Sequence, residues 1–142
     1  MKLILLGALL FMFNCAGTRP TDLGVTSGKL KACPESPNCV SSQADSKDSH
    51  YILPLKYSVD LSIAKDTMKK IISSEPRTTL VIEKDNYLYF EFQSKLMGYV
   101  DDVEFYFDDL EKTIQVRSAS RLGKSDLGVN RKRIESIRAN FK

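Results

Sequence analysis

Asp102-Val103-Glu104-Phe105-Tyr106-Phe107-Asp108 and, four residues later, Thr113-Ile114-Gln115-Val116-Arg117-Ser118 both alternate apolar and polar side chains with a period of two. That period describes two strands with one buried face each, and the intervening Asp109-Leu110-Glu111-Lys112 closes them into a hairpin. The turn sets the register. Phe107 opposite Ile114 places Phe105 opposite Val116, so Val103, Phe105, Phe107, Ile114 and Val116 point inward. On the other face Glu104 then falls opposite Arg117, a cross-strand ion pair that contributes well under about 1 kcal/mol if exposed.

Working back from this hairpin, Thr78–Glu83 and Tyr87–Gln93 alternate around Lys84-Asp85-Asn86, with Leu80 and Ile82 sharing a face with Leu88, Phe90 and Phe92. Before them, Asp60 caps a helix running to about Ser73, and Leu61, Ala64, Met68, Ile71 and Ile72 form its apolar stripe. Glu75-Pro76 ends it. Tyr51–Leu55 is a short apolar strand, and a last helix from about Asn130 to Asn140 carries Ile134, Ile137 and Phe141. The order β-α-β-β-β-β-α predicts an α+β domain, an antiparallel sheet of about five strands with two helices packed on one face.

The N-terminus is of another kind. Lys2 and the apolar run Leu3–Phe13 have the length of a signal peptide and fall short of the roughly 20 residues that span a bilayer. Asn14-Cys15-Ala16-Gly17 looks like a lipobox, with Met12 and Asn14 where leucine and a small residue are usual. Cys15 is thus the expected lipid-attachment site, and the alternative is ordinary cleavage after Ala16 or Gly17 to give a secreted protein. Both readings put the domain outside the cytoplasm, in the cell envelope. Ala16 to Lys29, rich in Gly, Thr, Ser and Pro, reads as a flexible tether. The expected organisation is a signal peptide at 1–14, a lipid-anchored tether at 15–29 and one folded domain at 30–142.

Charge is modest overall, at a formal +3 over 142 residues, but it is segregated. Acidic residues dominate Glu83–Glu111 and basic ones Lys112–Arg138, so the two stretches complement each other. Basic and acidic residues interleave within them and no extended cationic face results, which argues against nucleic acid as a partner. Arg131-Lys132-Arg133 follow the expected Asn130 cap and oppose the helix dipole, which favours anions there. Either Asp126, Asp101, Asp102 and Glu104 compensate them, or a bound carboxylate, phosphate or lipid headgroup does. Arg117, Ser118, Arg121, Asp126, Asn130, Arg131 and Arg133, organised by Asp101, Asp102 and Glu104, are therefore the candidate ligand-binding residues. Gly123-Lys124-Ser125 is not a phosphate loop, because Ser118 stands where that motif needs glycine. Gly123 and Gly128 serve turns instead.

Cys33 and Cys39 flank Pro34-Glu35-Ser36-Pro37-Asn38, and in an exported protein a local disulfide is the expected state. The rival is a reactive Cys39 with His50, the only histidine, as its base. One histidine assembles neither a zinc tetrad nor a Ser-His-Asp triad, so no metal or cofactor is expected. Asp101 and Asp102 are adjacent on a strand and point to opposite faces, which argues against a paired-carboxylate enzyme.

Cys33–Ser42, together with Asp101–Phe105, Val116–Arg121 and Gly123–Arg131, resembles the two signature blocks of the DUF1499 family. The resemblance covers nearly all of 33–140 and implies neither a reaction nor catalytic residues. The resulting expectation is a membrane-anchored, non-enzymatic domain that binds a small anion or lipid headgroup. The alternatives are a structural or protein-interaction lipoprotein whose charges pair internally, and a hydrolase using Cys39 or the acidic residues.

Overall fold

The computed structural model describes residues 15–141, and the expected signal peptide at 1–14 lies outside the described residues. In chain order the elements are β1 (Cys39–Ser41), β2 (Leu55–Lys56), α1 (Leu61–Ser73), β3 (Thr78–Lys84), β4 (Tyr87–Gln93), β5 (Val100–Asp108), β6 (Thr113–Ser120) and α2 (Val129–Asn140). They form an antiparallel sheet of order β1-β6-β5-β4-β3, with β2 also pairing with β6. The hairpin register is the expected one: Phe107 pairs with Ile114, Phe105 with Val116 and Glu104 with Arg117.

Both helices cover one face. Ala64, Met68 and Ile72 of α1 and Ile134 and Ile137 of α2 pack with Phe90, Val103, Phe105, Phe107, Ile114 and Val116 in one cluster. Removing these side chains from water is the main stabilising term, at roughly 25 cal/mol per Å² of apolar surface. The α+β expectation holds, with six strands where about five were expected.

The departures have local causes. Tyr51 makes only a single bridge to Ser41, and the strand expected over Tyr51–Leu55 shortens to β2. β1 was not expected, because its three residues are too few to show a period. A register shift between Leu80 and Ile82 pairs Ile82 with Tyr89, so Leu80 and Ile82 do not share the core row and are 38% and 36% exposed on the edge strand. Asp60 occupies the N-cap of α1 without a side-chain capping bond. The N-cap of α2 is Gly128, left-handed at φ 78°, and not Asn130. Asp126 does the capping, accepting the backbone N–H of Gly128 at 3.0 Å and of Asn130 at 2.8 Å.

The largest correction concerns the tether. Leu23 and Val25 pack with Leu30, Tyr87 and Tyr89 on the sheet face opposite the helices. Gly24 donates its N–H to Glu104 Oε1 at 2.9 Å, Arg19 pairs with Glu91 at 2.6 Å, and Thr26 and Lys29 exchange backbone hydrogen bonds. Residues 19–30 are therefore a strap held across the sheet and not a free linker. The charged pattern of the face beneath supplies acceptors and donors that a composition-based reading of the strap leaves out.

Candidate functional site

Alternation along β5 and β6 divides the ten candidate ligand-binding residues between the two faces of the sheet. Beneath α2, Asn130 is fully buried, and its Oδ1 accepts from Ser118 Oγ at 2.5 Å and from Arg133 Nη1 at 2.6 Å. Its Nδ2 donates to Asn38 O, Ser120 Oγ and Asp126 Oδ2 at 2.8–3.1 Å. Arg133 Nη2 reaches Asp101 Oδ2 at 2.5 Å and the guanidinium lies over the Phe92 ring. Burial raises the proton affinity of Asp126, but the N–H donors of Asn130 and Gly128 outweigh it and hold its carboxyl below the ordinary range. Arg131 turns away to donate to Ser49 O at 2.7 Å. The first turn of α2 thus finds its negative partners within the chain, in Asp126 and Asp101.

On the opposite face lie Asp102, Glu104, Arg117 and Arg121. Arg121 Nε donates to both oxygens of Asp102 at 3.0 and 3.1 Å, and its Nη2 reaches Asp102, Tyr89 OH and Glu91. Tyr89 OH donates to Asp102 at 2.5 Å. Glu104 is fully buried and accepts from Tyr87 OH at 2.8 Å and from Gly24 N–H. Burial and the adjacent Glu104 push the Tyr87 hydroxyl well above its usual range, so it stays a donor. Arg117 is different. It is 5% exposed, makes one side-chain bond, to Glu104 at 3.4 Å, and its Nε has no partner among the described residues.

Tyr87, Tyr89, Glu91, Arg19, Gly24 and Asn38 belong to these networks and escaped sequence reasoning. A signal existed for three of them: Tyr87, Tyr89 and Glu91 alternate on β4 opposite Tyr106, Glu104 and Asp102, and a buried tyrosine needs an acceptor.

Glu91 yields a pH prediction. Its hydrogen bond from Arg19 is the largest influence, burial opposes it, and Arg121 adds to it, bringing the carboxyl from 4.5 to about 2. A folded value below the unfolded one gives stability that is present above pH 4.5 and lost as pH falls toward 2. Urea midpoints recorded across that window are expected to fall less steeply for Glu91→Gln than for the native chain, with the variant already weaker at neutral pH.

Cys33 and Cys39 are joined in a disulfide with Cα atoms 5.7 Å apart. The reactive-thiol reading of Cys39 is thereby corrected, since its sulfur is already bonded. His50 sets Nδ1 against Asp48 Oδ1 at 2.7 Å and Nε2 against Ser36 O at 3.1 Å, two acceptors that the imidazolium form satisfies together. The Ser36 carbonyl, then Asp48, raise its proton affinity, which suits a loop clamp and not a general base. Beside it opens a groove of about 610 Å³ whose walls include Lys29, Lys31, Ser41, Gln43 and His50. No cluster of three or more metal-ligating side chains occurs among the described residues.

No curated protein and no solved structure matches the chain. A family model described as "Protein of unknown function (DUF1499)" matches residues 29–141, and the two sequence blocks it spans are the ones that meet at Asn38, Ser118, Asp126 and Asn130. The chain belongs to the DUF1499 family.

Proposed function

We propose that this is an extracytoplasmic, non-enzymatic domain, anchored to the membrane by lipid on Cys15, that binds a small anion at Arg117. One observation carries the ligand: among the described residues, a buried guanidinium has no partner for its Nε and a single side-chain bond, 3.4 Å long. Guanidinium favours carboxylate and phosphate because its fork matches their paired oxygens. Ser41, the cross-strand neighbour of Arg117, lines the groove that Lys29 and Lys31 also border, which supports an approach for an anion from that side. An enzymatic reading loses Cys39 to the disulfide, and Asp102, Glu104 and Glu91, which share a face, are each occupied by arginine or tyrosine donors.

The test is thermal unfolding of the mature chain with inorganic phosphate and with citrate. Ligand at ten times its dissociation constant stabilises by about 1.4 kcal/mol, which raises Tm by roughly 3–6 °C. The shift is expected to vanish in Arg117→Lys and to weaken in Lys31→Glu. Neither anion changing Tm would favour the second reading, a structural lipoprotein whose charges pair internally. Arg121, Arg131 and Arg133, each with an acceptor in the chain, are what speak for it.

A further inference from the structure

Leu96, Met97, Tyr99, Leu122, Leu127 and Val129, half of the large apolar side chains that are exposed among the described residues, lie on two neighbouring loops at one end of the sheet. In the β4–β5 loop Leu96 is 91% exposed and Met97 57%, and in the β6–α2 connection Leu127 is 86% exposed. The two loops are neighbours: Asp101 pairs with Ser120, Arg121 donates its N–H to Val100 O at 3.1 Å, and Tyr99, Leu122 and Val129 wall a common cavity of about 250 Å³. Exposed apolar side chains grouped on neighbouring loops of a small domain point to a contact site.

Two further observations identify what it contacts. First, the chain enters here. Gly17 packs on Leu122, where an added Cβ would lie 3.1 Å from its Cγ. Cys15 is two residues away, hence within about 8 Å of Gly17, and the apolar run Leu3–Phe13 precedes it. Second, the charge is right for an anionic bilayer: Lys95 and Lys124 are exposed in these loops, whereas the one carboxylate there, Asp126, is turned inward onto Asn130 and Gly128. At the opposite end Leu110, 95% exposed, stands between Asp109 and Glu111, which makes its turn a poorer match for an anionic bilayer.

We infer that the 94–99 and 121–129 loops form a membrane-docking surface, inserting Leu96, Met97 and Leu127 into the interface of an anionic bilayer while Lys95 and Lys124 meet its headgroups. Tyr99 sits at the rim, where an amphipathic ring is favoured. The inference rests on the Cys15 anchor for its orientation, but the loops have their own affinity, so the two can be separated.

The chain contains no tryptophan, which makes single reporters clean. Full-length Leu96→Trp, Leu127→Trp and Leu110→Trp chains, produced in an exporting host, are mixed with vesicles of equal parts phosphatidylcholine and phosphatidylglycerol carrying brominated acyl chains. A side chain about 5–10 Å below the headgroups meets the bromines, so the Leu96→Trp and Leu127→Trp emissions are expected to fall roughly twofold while Leu110→Trp is unchanged. Chains that float with the vesicles but show no quenching at 96 and 127, or equal quenching at 110, would overturn the docking surface and leave the anchor standing. Chains whose mass shows no lipid on Cys15 would overturn the anchor, and Leu96→Trp quenching that persists in them would uphold the surface. A blue shift that grows with protein concentration without vesicles would assign this face to a second copy and overturn the proposal.

Discussion

Replacing Arg121 by Met is expected to lower the unfolding free energy by about 3–5 kcal/mol, the cost of leaving a buried charge without its partner. Asp102, 2% exposed, accepts on both carboxylate oxygens from Arg121 and otherwise, among the described residues, only from the Tyr89 hydroxyl. Glu91 loses one of its two arginines at the same time. For a domain of this size the loss corresponds to a fall in Tm of roughly 10–20 °C. Arg121→Lys should recover only part of it, because an ammonium is a point charge and cannot fork onto Asp102 while reaching Glu91. The decisive variant is Asp102→Asn with Arg121→Met. It removes both charges, so the double change should cost less than the sum of the single ones. Urea unfolding of the four chains checks this, and strictly additive costs would mean that the pair is not coupled as its geometry indicates.

That network shows where the sequence is legible and where it is not. The alternation of Val103, Phe105 and Phe107 against Ile114 and Val116 set the hairpin register, because a slip by one residue would turn every aromatic to the wrong face. The same logic correctly separated Asp101 from Asp102. The Glu104–Arg117 pair was placed opposite one another correctly, yet its environment was not. Its worth was given only for the exposed case, and both residues are buried because the strap covers that face. Period-two reasoning reports which side a residue faces but not what lies across it. Non-local partners fail for the same reason: Asn38 is 92 residues from Asn130, and Gly24 is 80 from Glu104. The expected N-cap at Asn130 lies two residues past the observed Gly128, since Asn130 and Asp126 both suit capping and only burial shows that Asn130 is needed for Ser118 and Asn38.

A chain beginning at Lys29, the first residue of the family match, is expected to fold and yet to be weaker than the chain from Ala16 by roughly 2–3 kcal/mol, because it loses the apolar burial and the hydrogen bonds of the strap. Glu104, uncovered with the strap gone, exchanges the Gly24 N–H for water and faces Arg117 in a more screened setting. Tyr87 and Tyr89 would also lose the cover of Leu23 and Val25, and Glu91 would lose Arg19. Hydrogen exchange supplies an independent reading: the Gly24 amide should be protected in the longer chain, whereas a free tether would exchange at the rate of an unfolded peptide. Equal stability of the two chains and an unprotected Gly24 would mean that the strap is not bound in solution. If Cys15 carries the proposed lipid, a bound strap has a consequence for the protein. It shortens the free segment between the lipid and the domain to the few residues from Cys15 to Arg19, where a 14-residue linker would have allowed a reach of some tens of Å. With so little slack, the proposed anchor would hold the end carrying Leu96 and Leu127 near the bilayer. Releasing the strap by Val25→Asp should therefore weaken the bromolipid quenching of the Leu96→Trp reporter even though the lipid on Cys15 is untouched.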